Sequence, residues 1–243
     1  MSKLNSIAIR LKTWGEFACF TAPEMRVERV SYPVMTPSAA RGILEAIFWK
    51  KEIEYEINTI AVLKRIQFIS IRRNEIQDVI STQGKSGIAS WMKDPATFSP
   101  YFVDSAGRND VQGENRTQRN SIVLRDVEYV ISAQLIIKNP TAENNCRKYT
   151  EMFSRRVQDG QCFRQPYFGI REYAANFQQA SGDEKPIPET RDLGIMLYDL
   201  DFGIAKAPRV YPHKHAIFGP ASLENGILNV DKMRGNLFRK VQS

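Results

Sequence analysis

The first helix of this chain is encoded by residues 36–48, which read TPSAARGILEAIF. Thr36 can cap this helix because its hydroxyl can accept a hydrogen bond from the first turn, and Pro37 suits the first helical position. Apolar residues then recur at helical spacing, namely Ala40, Ile43, Leu44 and Ile47. Phe48 follows at the edge of this stripe, and we expect its ring to be partly exposed. The segment therefore predicts an amphipathic helix that packs on one face.

Strand-like segments lie on both sides of this helix, because apolar and polar residues alternate there. A second helix is predicted over residues 142–158 and ends at Gly160. Residues 74–116 contain many Gly and Pro and predict a long loop, which in a compact domain indicates a binding loop or disorder. The predicted strands are residues 4–12, 53–72, 125–138, 167–173 and 195–201.

The order of these elements is strand, helix, strand, long loop, strand, helix, strand. This order matches the βαββαβ pattern of ferredoxin-like folds, which is also the topology of RNA-recognition domains. We therefore predict an α+β protein with a ferredoxin-like domain at residues 1–178. A polar stretch at 181–186 then leads into a small β-rich C-terminal subdomain at residues 179–243.

The charge balance favours a polyanionic partner. The chain has 34 Lys and Arg against 27 Asp and Glu, a net charge of +7, and such a surplus points first to nucleic acid and second to an anionic membrane. Residues 1–50 and 108–172 each carry a net charge of +3 and hold the two predicted helices. If both segments face one groove, that groove is a track for nucleic acid; the alternative is a basic protein with no such partner.

Several classes of protein are disfavoured. Three cysteines without a C-x-x-C pair argue against a disulfide scaffold or a zinc ribbon. His213 and His215 form an H-x-H pair without a nearby Cys or acidic partner, which is more typical of a solvated loop than of a metal site. The chain has no apolar run of 18 residues and no secretory signal. We therefore expect a cytoplasmic protein with no metal, no cofactor and no membrane partner.

The second predicted helix carries residues suited to cutting RNA without a metal. Such a reaction needs a base for the 2′-hydroxyl proton, cations for the charge on phosphorus and a donor for the leaving 5′-oxygen. Arg147 and Lys148 lie early in this helix, with Arg155 two turns further on. The alternative is an ordinary solvated helix face. Tyr149 supplies a phenol but falls on the apolar face, which favours a place in the core.

Three segments resemble one known family. They are residues 35–50, residues 115–127 and residues 152–172, the last running from MFSRR to QCFRQPYFGIRE. Together they resemble the CRISPR-associated proteins of the fifth Cas family, d variant, also called the Dvulg subtype, which belong to type I-C systems. The resemblance extends over residues 4–235.

The resemblance implies a function and partners. Proteins of this family cleave CRISPR precursor RNA at the base of the repeat hairpin without metal, leaving a 2′,3′-cyclic phosphate and a 5′-hydroxyl. They then stay on the 5′ handle of the crRNA as a subunit of the Cascade complex. The family's fold is ferredoxin-like with a small C-terminal β extension. The expected partners are therefore the repeat hairpin and other Cascade subunits, with double-stranded DNA as a further candidate.

The resemblance also assigns roles to residues, and this chain departs from the family pattern at three of them. The family's catalytic tyrosine falls on Phe48, which has no hydroxyl and can only stack a base. Its Lys-His pair falls on Arg147, a candidate phosphate clamp, and on Lys148, a candidate base whose neutral form the neighbouring Arg147 and Arg155 would favour. Tyr149 keeps a phenol nearby.

Arginine suits phosphate pairing and stacking on RNA. We expect six arginines to contact RNA, although each could instead belong to a structural ion pair, Arg125 beside Asp126 above all. The candidates are Arg41, Arg116, Arg119, Arg125, Arg155 and Arg156. Two competing hypotheses remain: a subunit that holds crRNA without cutting it, and a nonspecific binder of duplex DNA.

Overall fold

The computed structural model describes residues 6–25, 27–76, 82, 84, 87–98, 116–141, 143–201 and 215–240. Its contacts divide the chain into two compact units. The first contains Met1–Ile69 and Ile122–Ser243, and the second contains Ser70–Ser121. Much of the loop predicted at 74–116 falls outside the described residues.

The described elements include both strands and helices, so the prediction of a mixed α and β protein is confirmed. The helices are α1 Pro37–Ile47, α2 Ile88–Lys93, α3 Cys146–Gln158 and α4 Val230–Arg234. The strands are β1 Ser6–Ala18, β2 Ile53–Val62, β3 Phe68–Ile76, β4 Arg116–Ile137, β5 Asn176–Gln179, β6 Arg191–Asp201, β7 His215–Glu224, β8 Ile227–Asn229 and β9 Phe238–Lys240.

Several elements differ in extent from the sequence prediction, among them the strand predicted at 53–72, which is two strands, β2 and β3. Two of the differences have local reasons. Helix α3 begins at Cys146 rather than near 142, because the Asn145 side chain caps it by accepting a hydrogen bond from Lys148 N at 3.0 Å. The strand predicted at 167–173 is wrong. There Phe168 N donates to Tyr173 O at 2.8 Å, and an isolated bridge joins Tyr167 to Ala174, so the segment is a turn-rich loop.

The sheet is antiparallel and has the order β5-β1-β4-β2-β8-β7-β6, with β3 paired to β4 and β9 to β7. Strand β4 lies between β1 and β2, with Ser6 opposite Ile136 and Ile53 opposite Ile137. Strand β8 pairs with β2, so the strands after residue 179 continue the same sheet.

Helix α1 packs its predicted stripe into the core of the first unit. Thr36 caps the helix as expected, since its hydroxyl accepts from Ala39 N at 3.3 Å. The stripe residues Ala40, Ile43, Leu44 and Ile47 are buried. Helix α3 buries Tyr149, Phe153 and Val157 on its own apolar face. Both helices therefore present polar faces outward, as their sequence patterns predicted.

Arg234 attaches the C-terminal helix α4 to strand β2. Its guanidinium donates to Ile57 O at 2.8 Å, to Glu56 Oε1 at 3.1 Å and to Tyr198 Oη at 3.2 Å. One side chain thus reaches β2 and β6 together. These charge-assisted hydrogen bonds hold the C-terminal strands against the strands that precede them in the chain.

A carboxylate holds the loop that follows β5. Glu184 accepts from Ser181 N at 2.6 Å, Ser181 Oγ at 3.0 Å and Gly182 N at 2.9 Å, and its side chain is 5% exposed. Desolvation by burial raises its pKa, but hydrogen bonds from backbone N–H groups outweigh it and lower the pKa to about 2. The loop therefore depends on an ionised Glu184.

We expect Glu184→Gln to lower the free energy of unfolding at neutral pH by about 2 kcal/mol, because charge-assisted hydrogen bonds are lost. The folded-state pKa is below the ordinary value of 4.5. The ionised carboxylate therefore stabilises the fold above that value, and its contribution disappears as the pH falls toward 2. Thermal melts of both proteins at pH 7 and pH 3 test this. A difference in melting temperature that stays constant with pH would contradict it.

Candidate active site

The candidate site lies where the start of α3 meets the end of α1. The rings of Phe48 and Tyr149 pack together with centroids 6.2 Å apart. The Arg156 guanidinium lies over the Phe48 ring at 5.3 Å from its centroid and donates to Ile47 O at 3.0 Å. Arg156 thus satisfies a carbonyl at the C-terminus of α1. Aromatic packing and this cap fix the two helix ends together.

Phe48 is fully buried, with 0% of its surface exposed, so the expectation of a partly exposed ring is wrong. The physical reason is local. Phe48 is the C-cap of α1 and has extended backbone angles, φ −143 and ψ 112, so its side chain no longer follows the helical periodicity. In this structure the ring has no open face for a nucleotide base. A base stacked on Phe48 would require the two helix ends to separate.

Two phenols lie near Phe48: Tyr55 Oη donates to Phe48 O at 2.7 Å, and the ring beside that of Phe48 belongs to Tyr149. The Tyr149 ring is 4% exposed, and its hydroxyl donates to Asn144 Oδ1 at 3.0 Å. Burial raises the pKa of Tyr149, and the negative charge of Glu52 raises it further. The phenol therefore stays protonated at neutral pH and can donate a proton rather than accept one.

Lys148 and Arg147 extend from the first turn of α3 into solvent. Lys148 Nζ lies 3.5 Å from Asn144 Oδ1 and 5.8 Å from the centroid of the Tyr149 ring. The Arg147 side chain is 90% exposed and pairs with Glu151 at 2.9 Å. An exposed pair of this kind contributes a few tenths of a kcal/mol, so a phosphate can replace the Glu151 carboxylate. The ammonium and the phenol therefore share one acceptor, with a guanidinium beside them.

Comparison with known proteins identifies the family. The model of CRISPR-associated protein (Cas5), in its Cas5d form, matches residues 8–231. The CRISPR pre-crRNA endoribonuclease Cas5d of Mannheimia succiniciproducens is 44% identical over 231 residues, which cover 91% of this chain and 94% of that protein. This chain belongs to the Cas5d family.

Two further proteins resemble this member of the Cas5d family. The pre-crRNA endoribonuclease Cas5d of Thermus thermophilus is 41% identical over 194 residues, which cover 80% of this chain and 73% of that protein. A crystal structure of a CRISPR-associated protein superposes with a TM-score of 0.64 at 18% identity, covering 99% of this chain and 100% of the other. The second likeness shows a shared fold.

Arg41, predicted to contact RNA, is occupied within the protein. Its Nε and Nη2 donate to both carboxylate oxygens of Asp199 at 2.9 and 2.7 Å, and its Nη1 donates to Glu45 at 2.7 Å. Desolvation by burial lowers the pKa of Arg41, but the hydrogen bonds and charge of Asp199 raise it overall. In the Cas5d fold of this chain, Arg41 therefore joins α1 to β6, which is the structural role that the sequence left open.

The remaining predicted arginines lie in different surroundings. Arg155 is exposed on α3, while Arg156 is half-buried in its contact with α1. Arg125 is exposed, and its neighbour Asp126 pairs with Lys64 at 2.7 Å. The other two belong to the second unit, where Arg119 pairs with Glu75 at 3.3 Å. The side chain of Arg116 lies outside the described residues. A role in RNA binding stays a prediction for all five.

Sequence reasoning missed Asn144, the acceptor that brings Tyr149 and Lys148 together. Asparagine before a helix usually signals a cap, and the adjacent Asn145 has that role. Nothing in the local sequence distinguishes the two asparagines. It also missed Trp49 and Arg164, which line one groove at the end of α1, where Arg164 N donates to Ala46 O at 2.9 Å.

In the described part of the chain, no group of three or more His, Cys, Asp or Glu side chains could hold a metal ion. His213 lies outside the described residues, and the side chain of His215 does too. None of the helices described is long and apolar enough to cross a membrane.

Proposed function

We propose that this protein cleaves CRISPR precursor RNA at the base of the repeat hairpin and remains on the 5′ handle as a type I-C Cascade subunit. Two relatives that are 44% and 41% identical carry the name CRISPR pre-crRNA endoribonuclease. The observation that carries the proposal is the convergence of Tyr149 Oη and Lys148 Nζ on Asn144 Oδ1. This arrangement brings a proton donor and a basic nitrogen to one point on the surface.

The proposed reaction uses the 2′-hydroxyl of the RNA as the nucleophile. Lys148 Nζ takes the 2′-hydroxyl proton while the 2′-oxygen forms a bond to phosphorus. Tyr149 donates its proton to the 5′-oxygen as the bond from phosphorus to that oxygen breaks. Arg147 pairs with the phosphate and stabilises its added charge. The products are a 2′,3′-cyclic phosphate and a 5′-hydroxyl, and no metal ion is needed for any of these roles.

The finer fold assignment is also a proposal. The order β5-β1-β4-β2, with α1 between β1 and β2 and α3 between β4 and β5, supports a ferredoxin-like βαββαβ domain. We assign this domain to residues 1–178 and a β-rich subdomain to residues 179–243. Strands β6 to β9 and helix α4 would form that subdomain, and Arg234 would attach it to β2.

The proposed partners follow from the proposed cleavage of precursor RNA. The repeat hairpin of the precursor RNA is the substrate, and the other Cascade subunits bind the protein after cleavage, in the cytoplasm. Double-stranded DNA is a further candidate that the net charge of +7 supports. The proposed candidate contacts for RNA are the exposed Arg147, Arg155 and Arg125.

The test is a cleavage assay with purified protein and its cognate repeat RNA in EDTA. We expect cutting at one position, with a 2′,3′-cyclic phosphate and a 5′-hydroxyl found by end-group analysis. The Lys148→Ala variant should not cut, yet should bind the RNA almost as tightly as the wild type, since Lys148 is one exposed contact among several. A stability measurement on that variant checks that it is folded.

Three outcomes would point elsewhere. Tight binding of the hairpin without cutting would favour a subunit that only holds crRNA. Equal affinity for the hairpin and for random duplex DNA at moderate salt would favour a nonspecific binder. A Lys148→Ala variant that binds weakly, and cuts in proportion to what it binds, would show that Lys148 is a phosphate contact.

A further inference from the structure

A groove lies beside helix α1 and reaches its C-terminal end at Trp49. It has a volume of about 480 Å³ and runs between α1, the loop 164–169 and β6, all within the first unit. Pockets of roughly 300–1,000 Å³ suit small ligands, so this groove can hold a nucleotide. Its polar lining includes Thr21, Ser38 and Gln165.

Two aromatic side chains line this groove and remain exposed. Trp49 has 53% of its surface exposed and Tyr167 has 40%. Next to them, the guanidinium of Arg164 lies over the ring of Phe163 at 5.4 Å from its centroid. Exposed aromatic faces beside a guanidinium are the surface on which unpaired bases stack.

The charged side chains of the groove leave one guanidinium, that of Arg164, available to a phosphate. Glu45 and Asp199 line it, but both carboxylates are bound by Arg41 at 2.7 Å. No carboxylate contacts the Arg164 guanidinium among the residues that the structure describes. Arg41 offsets one of these two negative charges, and Arg164 supplies a second positive charge that pairs with no carboxylate in the described part of the chain.

The backbone connects this groove directly to the candidate active site. Phe163 N and the Arg156 guanidinium both donate to Ile47 O, at 3.3 and 3.0 Å. Phe48 then packs on Tyr149, while the next residue, Trp49, lines the groove. A strand of RNA that passes the end of α1 would therefore meet both places.

We infer that this groove binds an unpaired nucleotide that flanks the repeat hairpin, with its base stacked on Trp49 and Tyr167 and its phosphate paired with Arg164. The inference deepens the proposed function and rests on it for the choice of RNA as the ligand. The groove would distinguish a hairpin that carries its single-stranded flank from one that lacks it. It would thereby position the junction between paired and unpaired RNA at α3.

The test compares two RNAs, the full repeat and a trimmed repeat that keeps the hairpin alone. We expect Trp49→Ala to weaken binding of the full repeat by about 5- to 150-fold, the range for loss of one stacked base, and to leave binding of the trimmed hairpin unchanged. Trp49→Phe, which keeps an aromatic face, should retain most of the affinity. Fluorescence anisotropy with labelled RNA measures both dissociation constants.

Phe68→Ala is the matched control, because Phe68 is an exposed aromatic of the first unit that does not line this groove. It should bind both RNAs as the wild type does. Equal affinities of Trp49→Ala and wild type for the full repeat would overturn the inference. So would a loss of assembly with Cascade subunits at unchanged RNA affinity, which would make the groove a protein-binding surface.

The two proposals fail separately. A wild-type protein that binds the flank through Trp49 but does not cut in EDTA would remove the endonuclease and keep the groove. A protein that cuts normally and is indifferent to Trp49→Ala would keep the endonuclease and remove the groove. The cleavage products and the dissociation constants are measured independently, so each result bears on one proposal.

Discussion

Tyr149→Phe should lower the single-turnover cleavage rate by about 10²- to 10⁴-fold, the contribution of a positioned acid or base. The change removes one oxygen and keeps the ring that packs on Phe48 at 6.2 Å. RNA affinity should therefore stay close to that of the wild type. Single-turnover kinetics isolate the chemical step from release of a product that stays bound.

A second substitution separates a catalytic phenol from a structural one. Position 48 is where the resemblance to the family expects the catalytic tyrosine, and its ring lies beside Tyr149. In the Tyr149→Phe background, Phe48→Tyr should restore part of the rate if the reaction needs a phenol at this junction. An undiminished rate for Tyr149→Phe alone would remove this residue from the mechanism.

The arrangement also explains how a family member can lack the expected tyrosine. Phe48 and Tyr149 come from different helices, α1 and α3, but the packing of the two helix ends brings their rings together. A phenol on either ring can reach the same region. The burial that raises the pKa of Tyr149 keeps its proton in place at neutral pH, which suits a donor to the leaving oxygen.

Local sequence signals predicted the elements that depend on local physics. The cap at Thr36 and the stripe on α1 are properties of a few adjacent residues, and both are confirmed. The buried face of α3 is confirmed at Tyr149, Phe153 and Val157. The loop at 167–173 was mistaken for a strand because alternation of apolar residues says nothing about turns, and Gly169 with φ +80 cannot continue a strand.

The site was less predictable because its partners are distant in the chain. Arg41 pairs with Asp199, 158 residues away, and no local pattern separates such an arginine from one that meets RNA. The exposure of Phe48 was predicted wrongly because helical periodicity was extended one residue too far. The helix ends at Ile47, and Phe48 is its C-cap with extended backbone angles. Arg147 and Lys148 are exposed, as predicted, because the first turn of an amphipathic helix follows its local pattern.

Among substitutions that add one methyl group to the loop bordering the groove, Gly169→Ala should destabilise the protein most. A Cβ at this position would lie 1.9 Å from Cys19 O, which is a backbone atom and cannot rotate away. The left-handed φ of +80 adds about 1–2 kcal/mol for any residue with a Cβ, and overpacking adds about 1–3 kcal/mol. At about 2–4 °C per kcal/mol for a protein of this size, we expect the melting temperature to fall by about 4–20 °C.

Gly42→Ala is the matched control, because the same methyl group there meets nothing within 4 Å and lies inside helix α1. It should stabilise the protein by about 0.5–1 kcal/mol, since alanine is the better helix former. A loss of stability in Gly169→Ala and a gain in Gly42→Ala would show that the contact of Gly169 with Cys19 determines the effect. Cys19 N also donates to Phe168 O at 3.0 Å, so the loop is held against the backbone of Cys19. An unchanged melting temperature for Gly169→Ala would mean that the loop can move away from Cys19 without a loss of stability. The groove beside Tyr167 would then lack the fixed wall on which a stacked base depends.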